Sequence, residues 1–173
     1  MSNTKRMILT ALFVALGVVL PMAFHTIPNA GSIFLPMHIP VLLCGLICGW
    51  AYGLGCGVLA PLLSSLMTGM PPAAILPGML CELAVYGLVS GLLLKVIHTK
   101  RTIADLYLAL IGAMISGRLV SGALNALIFR AGSYSLAAWT AASFVTALPG
   151  IAIQLVLIPI LVTALQRAGL VER

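Results

Sequence analysis

The chain predicts an all-α, polytopic membrane protein, a bundle of six transmembrane helices with both termini in the cytoplasm. Three observations carry this. Hydrophobic residues make up 62% of the 173 and charged ones only 7%, far from the balance of a soluble domain. Apolar runs of about 20 residues recur, each long enough to cross a hydrocarbon core of about 30 Å. Basic residues gather at the ends of those runs, which is how orientation in a bilayer is set. The length suits one integral membrane domain over 1–173.

The first helix is expected over 7–24. Lys5 and Arg6 before an apolar run resemble a signal peptide. No small-x-small cleavage site follows, however, and Pro21 and His25 come next, so the segment is read as a retained helix. His25–Pro36 reads as a loop, since Pro28, Asn29, Gly31 and Ser32 are turn formers. A second helix over 37–48 is short for a span, which leaves it tilted, broken or joined to part of that loop. The third, 52–68, stops at Gly69-Met70-Pro71-Pro72, a breaker. The fourth, 73–97, runs to a polar hinge at His98-Thr99-Lys100-Arg101. The fifth covers 103–129. After a turn at Arg130–Ser135 the sixth covers 136–165, kinked at Pro149 and Pro159.

Six spans put both termini on one side. Lys5, Arg6, Lys95, Lys100, Arg101, Arg167 and Arg173 lie near the termini or after the fourth helix, and the opposite loops carry only Arg130. The side with the termini is therefore cytoplasmic. The same distribution explains the net charge of +6 without nucleic acid, for which there is no basic patch interleaved with aromatics. Trp50 and Trp139 read as interface anchors.

Small residues recur at every fourth position: Gly45, Gly49, Gly53 and Gly57, then Gly87 and Gly91, and Ala11 with Ala15. This spacing lets helix backbones approach closely. Most such pairs suit packing within the chain; the alanine pair could instead face another subunit.

Polar residues inside the spans point to function, because a charge in lipid costs about 2.5–3.5 kcal/mol or more. At 1.5 Å per residue, Glu82 and Arg118 lie roughly 14 and 16 Å below the outer surface, which allows a direct pair, a pair bridged by substrate, or a purely internal brace. Glu82 and Tyr86 share one helix face, as do Arg118, Ser121 and Asn125. Ser64, Ser65 and Thr68 lie toward the outer end of the third helix, Ser143 and Thr146 in the outer half of the sixth. With His38 at the edge of the loop, these groups could converge on one cavity open to the outside. Gln154 lies deeper and fits it less well.

No chemistry of bond making is visible. There is no HExxH, GxSxG, CxxC or P-loop, and the chain has three acidic residues in all, so no enzyme and no ATPase of the usual kind is expected. Cys44, Cys48, Cys56 and Cys81 sit in apolar segments and read as packing residues, and neither they nor His25 and His38 have metal-site spacing. No cofactor and no metal are expected. A few mixed polar groups in a helical bundle suit binding of a small molecule.

The chain resembles the substrate-binding S component of an energy-coupling factor (ECF) vitamin transporter. The likeness is carried by Ala11-Leu12-Phe13-Val14-Ala15, Met37-His38-Ile39-Pro40-Val41, Pro61 to Ser65 with Thr68 to Pro72, and Glu82 to Gly87. It implies a multi-pass protein of a bacterial cell membrane. Such a subunit captures a water-soluble vitamin or cofactor precursor from outside. It works with a transmembrane coupling subunit and two cytoplasmic ATPases, whose ATP hydrolysis topples it. The resemblance assigns Ala11 and Ala15 to the contact with the coupling subunit and the loop after helix one to gating. The segments look closest to the pantothenate subgroup, whose carboxylate Arg118 could meet. The competing readings are a membrane scaffold or assembly subunit, and a solitary ion-coupled carrier.

Overall fold

The computed structural model describes residues 1–24, 29–99, 101–129 and 135–171. His25, Lys100, Arg130 and Arg173, on which parts of the loop and charge readings rest, lie outside the described residues. Among the described residues six helices are long and apolar enough to cross a membrane.

Helix α1 spans Asn3–Ala23, starting ahead of the apolar run. The Ser2 hydroxyl accepts the backbone N–H of Lys5 at 3.3 Å and so caps a polar first turn that hydrophobicity cannot reveal. The second span is Ala30–Cys48, and it is broken. Helix α2 covers Ala30–Phe34 and helix α3 His38–Cys48, with Leu35 between them in the left-handed region at φ 51°. Gly31 and Ser32 therefore stand in a helix and not in the expected loop. The reason is length: α3 alone is too short to cross the hydrocarbon, and α2 supplies the rest.

Gly49 alone separates α3 from α4, Trp50–Thr68. Its φ of 97° and ψ of 170° belong to a region that glycine reaches and side chains do not. Helix α5, Leu76–Val96, begins three residues later than expected, because 71–75 are used in a turn closed by Ile75 N–H to Pro72 C=O at 2.9 Å. Helix α6, Thr102–Leu124, widens into a π-helical turn over Asn125–Phe129. The predicted sixth helix is not one kinked rod. It divides into α7, Leu136–Thr140 with a π-helical continuation Ala141–Thr146, and α8, Leu148–Arg167. Pro149 lies in the first turn of α8, where its missing N–H would have had no partner anyway, so it starts a helix and does not bend one.

The Ala30–Cys48 span is largely enclosed by protein while the other spans keep most of their surface outward. Helix α5 packs beside it and also touches α4 and α6. Glycine makes these approaches possible. A Cβ on Gly87 would strike the Gly53 carbonyl, one on Gly57 the Leu83 carbonyl, and one on Gly91 the backbone of Trp50. The ladder of small residues thus binds α3, α4 and α5 face to face. Val41, Leu42, Leu83, Leu110 and Ile158 fill the spaces between, with the free thiols of Cys44, Cys48 and Cys56 buried among them.

Candidate functional site

At the end of the bundle where α1, α4 and α6 finish and α3, α5 and α8 begin lies a cavity of about 500 Å³, within the range that holds small ligands. Apolar side chains such as Phe24, Leu35, Met37, Met79 and Ile75 form much of its wall. Six of the polar residues expected at a site line it: His38, Glu82, Arg118, Ser121, Asn125 and Ser143. With α5 starting at Leu76, Glu82 lies about 9 Å along its helix.

Arg118 is 4% exposed. Its Nε and Nη2 are buried and have no hydrogen-bond partner. No pair between Arg118 and Glu82 falls within ion-pair distance among the described residues; the Glu82 carboxylate instead pairs with His38, Nε2 to Oε1 at 3.7 Å. The guanidinium instead lies over the ring of Phe144, 5.7 Å from its centroid. A cation–π contact returns about 0.5–2 kcal/mol, but it satisfies none of the N–H donors. Leaving such donors buried and unmet costs about 1–3 kcal/mol or more.

Local structure fixes the arginine. The indole N–H of Trp139 donates to the Arg118 carbonyl at 3.3 Å, and Trp139 stands edge-on to Phe144, centroids 5.5 Å apart. Gly122 leaves the space for that indole, which a Cβ would invade. Trp139 is therefore a wall of the cavity, a role its reading as an interface anchor did not include. One turn outward, the Ser121 hydroxyl donates to the Gly78 carbonyl at 3.0 Å and the Asn125 amide donates to the Ser121 carbonyl at 2.8 Å. The first of these bonds joins α6 to α5 beside the cavity, and the second braces the end of α6.

Other expected residues do not line the cavity. Tyr86 is fully buried one turn below Glu82, its ring against Gly117 and edge-on to His38 at 5.4 Å, and its hydroxyl is within electrostatic reach of Glu82 and Arg118 but makes no short hydrogen bond. Ser64 donates to the Met70 carbonyl at 2.7 Å and Ser65 to the Pro71 carbonyl at 2.9 Å. Both serines tie down the breaker segment, which lines the cavity, without lining it themselves. Gln154 is buried away from it, both polar ends of its amide without partners. Ala11 and Ala15 are exposed on α1, on a stripe with Met7, Ile8, Leu12 and Val19. Among the described residues no three His, Cys, Asp or Glu side chains group as metal ligands.

Sequence reasoning missed Trp139, Phe144 and the contribution of α2. The usable signal was Gly122, a small residue one turn from a buried arginine.

No curated protein and no solved structure matches the chain. A family model described as ECF transporter, substrate-specific component, matches residues 5–162. A match over that much of the chain, on a six-span bundle with a polar cavity at one end, makes this protein a member of the substrate-specific components of energy-coupling factor transporters, a membrane transport subunit and not an enzyme.

Proposed function

We propose that the chain captures a water-soluble vitamin or cofactor precursor, with pantothenate the best fit, from outside a bacterial cell. It does so as one integral membrane domain with cytoplasmic termini. Delivery then depends on a coupling subunit docked at Ala11 and Ala15 and on two ATPases. The cavity lies at the end of α1 away from Asn3, so cytoplasmic termini make it face outward.

The observation that carries the reading is the Arg118 guanidinium, buried in a cavity wall with two nitrogens unmet. A ligand carboxylate supplies what it lacks, since the planar fork of arginine suits two carboxylate oxygens. Pantothenate brings one carboxylate, and its amide and hydroxyls suit Asn125, Ser143 and Glu82. The absence of an ion pair between Glu82 and Arg118 argues against the brace reading, and with it against a mere scaffold.

Native mass spectrometry of the detergent-purified chain, followed by thermal-shift titration with water-soluble vitamins, tests this. A co-purified species and a saturable shift with pantothenate are expected. A saturable shift with a different vitamin would replace the ligand, and no shift with any would return weight to the scaffold.

A further inference from the structure

Glu82 and His38 form a second polar pole in the same cavity. Glu82 comes from α5, lines the cavity and keeps 19% of its side chain exposed, with His38, Arg118 and the Tyr86 hydroxyl as its electrostatic neighbours. His38, the first residue of α3, is 5% exposed at its side chain, with Nδ1 buried and unpartnered. Its Nε2 stands 3.7 Å from Glu82 Oε1, beyond the reach of a direct hydrogen bond. At this separation the two groups are within ion-pair range and close enough for one small polar group at the cavity wall to bond to both. Of the charged or titratable side chains lining the cavity, these two and Arg118 are the complete set among the described residues.

We propose that Glu82 and His38 read a hydroxyl on the ligand, so that the site selects hydroxy acids over acids of the same shape without the hydroxyl. This rests on the reading above, in which Arg118 takes the carboxylate. A hydroxyl both donates and accepts, so one oxygen donates to the Glu82 carboxylate and accepts from His38. An ammonium group only donates and leaves the histidine N–H unmet. A second carboxylate is repelled by Glu82. An apolar group removes water from a carboxylate without replacing its hydrogen bonds, which is the most effective basis for rejecting an analogue. The two poles thus require an acid at one end and a hydroxyl at the other.

The test titrates purified wild type and Glu82→Gln with pantothenate, with the analogue in which both hydroxyls are replaced by hydrogen, and with panthenol, whose carboxylate is an alcohol. Wild type is expected to prefer pantothenate to the dehydroxylated analogue by about 100-fold or more. Glu82→Gln should shrink that preference to within about 10-fold, and panthenol should bind weakly to both. Equal binding of pantothenate and the dehydroxylated analogue to wild type would overturn the inference and leave the proposed function standing. So would an undiminished preference in Glu82→Gln. If that variant fails to fold, the wild-type ratio decides. If pantothenate fails and another vitamin binds, the proposed ligand is wrong; the inference then holds for a hydroxy acid whose dehydroxylated form is rejected and falls for a ligand without a hydroxyl. Binding of no vitamin overturns both.

Discussion

In the proposed site Arg118 is the group that meets the ligand acid. Replacing it with alanine removes the cation and leaves the ligand acid facing an apolar wall. Affinity should fall by about 2–5 kcal/mol, read by calorimetry, and unchanged affinity would remove Arg118 from the site. Lysine should recover only part of the loss, because a point charge does not reproduce the guanidinium fork. Ser64→Ala should act differently. It cuts the bond to the Met70 carbonyl, worth about 1 kcal/mol, so the melting temperature should drop slightly and ligand affinity should change little. A large loss of affinity with intact stability would mean that Ser64 meets the ligand directly. At this scale the sequence was informative about residue types and helix spacing. Charges in lipid are costly, so Glu82, Arg118, Ser121 and Asn125 could be picked out before any coordinates. Which charge meets which was not legible, because pairing depends on side-chain reach across helices. His38 rather than Arg118 lies nearest Glu82, and Trp139 turns inward because Gly122 admits it.

The bundle tolerates change very unevenly among its glycines. Gly87 faces the Gly53 backbone with no room for a Cβ, whereas Gly55, on the same helix as Gly53, has nothing near it. Gly87→Val should lower stability by about 1–3 kcal/mol or prevent folding. Gly55→Ala should be neutral or raise stability by up to about 1 kcal/mol. Thermal melts in detergent separate the two, and equal effects would contradict the close approach of α4 and α5. The repeat of small residues announced such contacts, and Gly55 stands outside its spacing, but the repeat could not show that Gly49 serves a turn. The long spans were legible because lipid imposes length and apolarity together. Helix α2 was not, being five residues of α-helix, below what periodicity can detect, with turn-forming Gly31 and Ser32 pointing the other way. The helix at 136–140 was expected, but its separation from α8 was not.

The proposed assembly makes a demand that the isolated chain does not. Ala11 and Ala15 face outward, away from the cavity. Ala11→Trp should therefore abolish uptake in cells carrying the whole transporter while leaving ligand affinity of the purified subunit within about twofold, since bulk there blocks close helix approach and touches no ligand contact. Parallel loss of both would count against docking through this stripe. The glycine-tight contacts of α3, α4 and α5 have a mechanical consequence for such a cycle. Where backbone meets backbone there is no side chain to change rotamer, so these three helices must tumble together as a stiff plate when the subunit tips. His38 and Glu82 ride on that plate with their spacing conserved, and the cargo leaves only if another wall yields. Helix α2 is held by the close approach of Gly150 to Ile33 and Phe34, whereas α7 and its π-helical continuation carry exposed Leu136, Phe144 and Val145 and are fastened to α6 by the Trp139 indole. Amide exchange should accordingly be slower across 83–91 than across 136–146, as expected if the proposed cargo departs on the side of α7.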